Sequence, residues 1–296
     1  MKKVIKNIKF LYIPLILSIL ISCGTVSKVP LTGRKHRIGV SDSEILSLSC
    51  REYRNFMMKA KLSDDIHNVQ MVRNVGNRLA TAVENYLRNN GYAKELKNFQ
   101  WEFNLIASKQ VNAFCMPGGK IVVYEGLLPY TQNEAALAIV LGHEIAHAVA
   151  KHSAEQLTKL RNQGFFTQLA GSVLNSTVGQ GIGDVTSQIA GIYFSFRNLK
   201  YSRDNESEAD HMGLVFAAMA GYDPHYAIQF WQRMAVKSNN STDDFFSDHP
   251  SDIKRIEHLK QLMPEAMKYY QASSYNNRKY SNPTFRINKS KKKIRY

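Results

Sequence analysis

The chain has 296 residues, 44% of them hydrophobic, three cysteines and a formal net charge of +15. This length suffices for one domain with a proper hydrophobic core, and three cysteines are too few for a disulfide-based scaffold. The first 22 residues contribute +4 and the last 25 contribute +8, so only +3 remains for everything between. The basicity therefore lies at the ends and does not indicate a nucleic-acid-binding groove.

The N-terminus has the pattern of a secretion signal. Four lysines precede an apolar run at 10–21, which ends in Ser22 before Cys23. The run is short for a membrane-spanning helix and is typical of a removable signal segment. It resembles a bacterial lipoprotein signal, in which Cys23 becomes the lipidated first residue; an uncleaved N-terminal anchor is the alternative. Either way, we expect the chain to face the periplasm from a membrane of the cell envelope, with the outer membrane favoured.

The chain divides into four predicted segments. We expect a lipoprotein signal peptide at 1–22, an anchor-proximal linker at 23–40, one folded domain at 41–271 and a basic disordered tail at 272–296. A tail that contacts anionic lipid or a cell-wall polymer is the alternative to a solvated one. Cys50 and Cys115 fall within the domain, as a disulfide or as two free thiols.

The predicted fold class is α+β, mainly helical. A helical pattern covers 41–86, strand patterns occur at 101–106 and 121–124, and Met116-Pro117-Gly118-Gly119-Lys120 between them is typical of a turn. This small sheet directly precedes a helix predicted at 133–160, where Thr131 and Glu134 have the spacing of a capping box. Further helices are expected at 202–221, from Pro224 and after Pro250.

The helix predicted at 133–160 contains a metal-binding pattern, His143-Glu144-Ile145-Ala146-His147. Histidines four residues apart on a helix differ by only about 40° in direction, so both imidazoles can bind one ion. With Glu144 placed to accept a proton from water, this HExxH pattern indicates a zinc hydrolase. His152 points about 140° away from His147 and is a poor ligand candidate, expected to pack or hydrogen-bond elsewhere.

A catalytic zinc site needs a third protein ligand, which the next helix can supply. Glu206 and Asp210 share one face of that helix, whereas Glu208 is turned aside. We expect Glu206 to be the ligand and Asp210 to orient a histidine N–H.

These motifs resemble the HtpX-like gluzincin metallopeptidases. The resemblance rests on His143 to His147 and on Glu206-Ser207-Glu208-Ala209-Asp210, which matches an ExxAD motif, and it extends to residues 112–120 and to Asp248-His249-Pro250-Ser251. It implies a zincin-like, minigluzincin fold at 41–271, one Zn²⁺ per chain and peptide-bond hydrolysis. Residues 112–120 and 248–251 also resemble the soluble periplasmic lipoprotein branch of envelope quality-control proteases.

The resemblance favours a zinc endopeptidase that cleaves misfolded or misassembled envelope proteins, with Glu144 as general base. The edge strand that begins at Asn112 is expected to add substrate to the sheet. Arg255 is a candidate for oxyanion stabilisation. A chaperone or assembly factor that binds envelope clients, with cleavage secondary or absent, is the alternative.

A further hypothesis concerns His249, which lies in a short connection ending in proline. This histidine can act as a reversible latch on the open zinc position, or it can simply begin a helix near the cleft. A latch predicts that His249→Ala raises basal proteolysis, whereas unchanged activity in a folded variant contradicts it.

Overall fold

The computed structural model describes residues 24–174, 196, 199, 201–238 and 253–273. The helices, numbered in chain order, are α1 (Asp42–Met57), α2 (Ile66–Asn89), α3 (Leu128–Thr131), α4 (Glu134–Val149), α5 (His152–Leu174), α6 (Arg203–Met219), α7 (Tyr226–Ser238) and α8 (Ile253–Ala272). The strands are β1 (Thr25–Lys28), β2 (Lys35–Ile38), β3 (Glu102–Ile106), β4 (Ala113–Met116) and β5 (Lys120–Tyr124). The prediction of a mainly helical α+β fold is confirmed.

The central sheet has three strands in the order β3-β5-β4. Strand β5 pairs in parallel with β3 and antiparallel with β4, so β4 lies at an edge of this sheet. Every residue of β5 is buried. A strand buried on both faces has an uninterrupted apolar sequence, which explains the Ile121-Val122-Val123 run.

Two hydrophobic clusters cover the two faces of the sheet. On one face, Cys115 and Val123 pack in a large core built by α2, α4, α6 and α7. On the other face, Phe114 and Val122 pack with residues of α1 and α5. Helix α4 therefore lies against the inner face of the edge strand β4.

The start and end of α4 differ from the sequence prediction. Its N-cap is Asn133, whose side chain accepts a hydrogen bond from the Ala136 N–H at 2.9 Å. The prediction of a capping box that starts at Thr131 is therefore wrong. Thr131 instead ends α3, where its hydroxyl donates to the Leu128 carbonyl. The helix also stops at Val149, because Lys151 adopts a left-handed φ of 57°, and a new helix starts at His152.

The range 23–40, predicted to be a linker, contains a β-hairpin. Strands β1 and β2 pair antiparallel from Thr25 to Ile38, and Val29 in the connection between them is fully buried. The hairpin is thus packed on the domain, while the predicted signal peptide and nearly all of the predicted tail lie outside the described residues. Among the described helices, none has both the length and the apolar composition needed to cross a membrane.

Candidate metal centre and active site

The HExxH helix α4 is enclosed in the core. Fourteen of its sixteen residues are buried, among them both histidines and Glu144. Helix α6 crosses it at Gly142 and Gly213, where a Cβ added to Gly213 would lie 2.5 Å from the His143 nitrogen. Two glycines let the two backbones touch, and this contact brings the candidate ligand residues of the two helices together.

Three side chains converge at this crossing. His147 Nε2 lies 3.0 Å from His143 Nε2 and 3.3 Å from Glu206 Oε1, and His143 Nε2 lies 3.4 Å from Glu206 Oε2. Ligands held tetrahedrally about 2.0–2.1 Å from zinc are separated by about 3.4 Å. The spacing and the donor types, two imidazoles and one carboxylate, therefore fit a zinc ion.

Asp210 fixes the orientation of His143. The His143 Nδ1 atom lies 2.9 Å from Asp210 Oδ1, so a proton on Nδ1 leaves the Nε2 lone pair free to bind metal. Arg255 donates to the same Asp210 oxygen at 2.6 Å, and its guanidinium lies 3.4 Å from the centre of the Trp231 ring. Burial would raise the pKa of Asp210, but the charges of Arg255 and His143 hold it below its ordinary value.

The two histidines differ in their proton affinity in the metal-free site. Burial would lower the pKa of His143, yet the carboxylates of Glu206 and Asp210 raise it to about 9. Burial dominates at His147, whose pKa lies well below the ordinary value. The metal-free site therefore holds one protonated and one neutral imidazole at neutral pH.

The structure also positions the general-base candidate. Glu144 is 4% exposed and follows the ligand His143 on α4. The HExxH helix α4 packs against β4, where burial, and to a smaller extent the Glu144 carboxylate, raises the pKa of the Cys115 thiol. The edge strand thus runs beside the glutamate.

Asn112 and the cysteines have defined surroundings. Asn112 precedes β4, is buried, and accepts a hydrogen bond on Oδ1 from the Ala113 N–H. Its carbonyl accepts from the Tyr124 N–H at 3.1 Å. Cys50 is exposed and Cys115 is buried, and in the described part of the chain both are free thiols.

Two candidate residues, Cys23 and His249, lie outside the described residues. The structure adds two side chains that the sequence reasoning had set aside, His152 and Glu208. Both are buried, His152 completely, and they form a hydrogen-bonded chain behind His147. His152 was rejected only as a metal ligand, and it is absent from the described ligand group. Its position behind His147 was missed because the helical angle assumed that one helix continued through Lys151.

Comparison with known proteins agrees with this geometry. Residues 74–263 match the model of peptidase family M48. The chain belongs to peptidase family M48. M48 is a metallopeptidase family, and His143, His147 and Glu206 fit the zinc ion that such a domain uses.

Relatives of this M48 chain come from two settings. It is 37% identical over 174 residues to the mitochondrial metalloendopeptidase OMA1 of Schizosaccharomyces pombe, covering 58% of this chain and 49% of that one. It is 31% identical over 178 residues to the putative beta-barrel assembly-enhancing protease of Vibrio cholerae, covering 59% and 34%. The Escherichia coli beta-barrel assembly-enhancing protease is 26% identical over 203 residues, covering 67% and 39%. The chain thus matches half or less of each relative's length.

Proposed function

We propose that this protein is a zinc endopeptidase of the cell envelope that hydrolyses misfolded or misassembled envelope proteins. The observation that carries the proposal is the convergence of His143, His147 and Glu206 within 4.8 Å of one another, beside Glu144. When bound, zinc would polarise the carbonyl of the scissile peptide and make a water molecule more acidic.

The chain's own residues supply the proton transfers in this proposal. Glu144 accepts a proton from the attacking water and delivers it to the departing amine, as a positioned carboxylate can do. Its burial beside β4 favours this role, because a carboxylate in a water-poor site interacts strongly with groups that become charged there. Arg255 binds Asp210, which supports a role in holding the ligand set, and oxyanion stabilisation by Arg255 stays a prediction.

Substrate binding is proposed along β4, which lies at an edge of the sheet among the described strands. The ladder pairs Cys115 with Ile121, and the bond from the Tyr124 N–H to the Asn112 carbonyl sets its register. Because hydrogen-bonded and non-bonded pairs alternate in an antiparallel ladder, the backbone groups of Cys115 face away from β5. An extended substrate can therefore pair with β4, through contacts that depend little on its sequence.

The location of the protein is part of the same proposal. Lipidation at Cys23 after removal of 1–22 would hold the metallopeptidase domain, 41–271, at the periplasmic face of a membrane, most simply the outer membrane. Similarity to the Vibrio and Escherichia beta-barrel assembly-enhancing proteases supports an envelope role, and membership of the soluble periplasmic lipoprotein branch is part of the proposal. The chain is also similar to mitochondrial proteases, so its location in the cell envelope requires a direct test.

The direct test is cleavage of an unstructured protein by the zinc-loaded full chain. We expect fragments from wild type, and a loss of about 10²–10⁴-fold in rate for Glu144→Gln, since general acid–base catalysis contributes on this scale. Glu257→Gln, at an exposed glutamate of α8, is the matched control and should cleave normally. Cleavage by the Glu144 variant at the wild-type rate would contradict the assignment.

A role in assembly is the second candidate function, because two bacterial relatives are named as beta-barrel assembly-enhancing proteases. In that case the chain binds envelope clients as a chaperone or assembly factor, with cleavage secondary. Equal suppression of client aggregation by wild type and Glu144→Gln, without cleavage by either, would support this alternative.

A further inference from the structure

The metal-facing histidine His147 has a partner on its far side. His152 is fully buried, and its Nδ1 atom lies 2.9 Å from His147 Nδ1. The left-handed turn at Lys151 makes this possible, because it ends α4 and turns the next helix so that His152 faces back toward the site. The other ring nitrogen of His152, Nε2, lies 2.9 Å from Glu208 Oε2.

The proton positions in the hydrogen-bonded series His147–His152–Glu208 follow from its two end members. To bind zinc beside Glu206, His147 Nε2 must be unprotonated, so the single proton of the neutral ring belongs on Nδ1, where it is donated to His152. His152 must then accept on Nδ1, which leaves its single proton on Nε2 for donation to Glu208. The Glu208 carboxylate accepts this bond, and hydrogen bonds from His152, Thr32 and Arg34 outweigh burial and lower its pKa to about 2.

The N-terminal hairpin holds Glu208, the last member of this hydrogen-bonded series. Arg34, just before β2, donates from Nε to Glu208 Oε2 at 2.7 Å and from Nη2 to Glu155 Oε2 at 2.9 Å. Thr32 donates its hydroxyl proton to Glu208 Oε1. The side chain of Glu208 is only 6% exposed, so these contacts are made out of bulk water.

We propose that His152 and Glu208 are positioning residues for the zinc ligand His147, and that Thr32 and Arg34 of the hairpin connection hold Glu208 for this purpose. The inference rests on the proposed ligand role of His147. Each metal-binding histidine then has its own carboxylate. Asp210 serves His143 directly, and Glu208 serves His147 through His152. The hairpin therefore belongs to the metal centre, although it contains no ligand.

The inference is tested on the metal-free full chain by zinc titration against a chromophoric chelator and by the visible absorption spectrum of bound cobalt(II). His152→Phe keeps a ring of similar size and removes both hydrogen bonds. We expect it to weaken zinc binding by about 10–100-fold, as is usual when a partner of a metal ligand is lost, and to shift the cobalt bands. His152→Gln can accept from His147 and donate to Glu208, and should recover most of the affinity.

A second pair of variants probes the hairpin at a distance from the metal. Arg34→Met and Lys159→Met each remove one cation that pairs with Glu155, but only Arg34 also contacts Glu208. We expect Arg34→Met to weaken zinc binding by about 5–10-fold and Lys159→Met to leave it within about twofold. A purely structural role for Arg34 would lower the thermal stability and leave the cobalt spectrum of the folded protein unchanged.

The outcomes separate the inference from the proposed function. If His147→Ala binds zinc as wild type does, the ligand assignment is wrong. If His147→Ala loses zinc while folded His152→Phe binds zinc and cobalt(II) as wild type does, the positioning role is overturned. Should His152→Phe fail to fold by circular dichroism, the Arg34 and Lys159 pair decides, because equal zinc affinities for those two variants also overturn it.

Discussion

His143 Nδ1 lies 2.9 Å from Asp210 Oδ1, although 67 positions of the chain separate the two residues. The same carboxylate oxygen accepts from Arg255 of α8 at 2.6 Å. One aspartate therefore links the HExxH helix, the helix that supplies Glu206 and the last described helix. The negative charge of Asp210 therefore interacts with both the Arg255 guanidinium and the His143 imidazole.

Asp210→Asn should reduce zinc affinity by about 10–100-fold, because a neutral amide binds the His143 N–H less strongly and can present its NH₂ group instead. It should also destabilise the protein by about 3–5 kcal/mol, since the buried Arg255 loses the carboxylate at 2.6 Å and keeps only the more distant Glu206, at 3.8 Å. Chelator competition and urea unfolding measure the two effects. Asp223→Asn, at a carboxylate that pairs with the exposed His225, is the control and should change neither. Unaltered zinc affinity in the Asp210 variant would contradict the assigned role.

Gly213→Ala should separate the two ligand helices. The added Cβ would lie 2.5 Å from the His143 nitrogen and 2.7 Å from its Cα, so the backbones must move apart. We expect a destabilisation of at least about 1–3 kcal/mol by thermal unfolding, together with weaker zinc binding. Ser207→Ala, at an exposed position of α6, should leave both properties near the wild-type values. A variant as stable as wild type would show that the helices can move apart at little cost.

Zinc binding should release close to one proton per ion at pH 7. The pKa of His143 in the metal-free protein is raised to about 9, so its imidazole is protonated at pH 7 and must lose that proton to bind metal. His147 is already neutral, because its pKa is lowered. The number of protons should fall toward zero above pH 10. Calorimetry in buffers of different ionisation enthalpy counts them, and zero release at pH 7 would refute the prediction.

Glu208 should stabilise the fold at neutral pH and lose this effect in acid. Its folded-state pKa of about 2 lies below the ordinary value of 4.5. The stabilisation is therefore complete above about pH 4.5 and disappears as pH falls toward 2, with an upper bound of about 3 kcal/mol. Urea unfolding of the metal-free protein should show the gap between wild type and Glu208→Gln narrowing across this range. Glu257→Gln, at an exposed glutamate of α8, is the matched control variant for this series.

The sequence predicts the local part of the site. His143, His147 and Glu206 could be grouped because a helix repeats its face every three to four residues, and each motif lies within one helix. The small sheet followed from the strand patterns at 101–106 and 121–124 and the intervening turn, and the strand at Asn112 was expected to be an edge strand. The observed site brings together all the ligands chosen in this way.

The remaining part depends on breaks and contacts that periodicity does not encode. His152 was excluded by an angle that holds only if the helix continues through Lys151, and that residue adopts a left-handed φ although it is not glycine. The hairpin at 25–38 was missed because its strands are short and largely exposed, and its anchoring depends on the distant Glu208. Gly142 and Gly213 were visible in the sequence, but their pairing is a property of the packed helices.

Helix α6 presents Glu206, Glu208 and Asp210 within five consecutive residues. Glu206 faces both candidate ligands, whereas Asp210 supports His143 and Glu208 supports His147 through His152. A designer who transplanted only the HExxH and ExxAD strings into another scaffold would copy the support for one imidazole and leave the other without any. The smallest transferable unit consists of three pieces of chain. The first is α4 together with the turn into α5, the second is α6, and the third is the hairpin connection that carries Thr32 and Arg34. Circular permutants and trimmed versions of this enzyme should be planned around that unit.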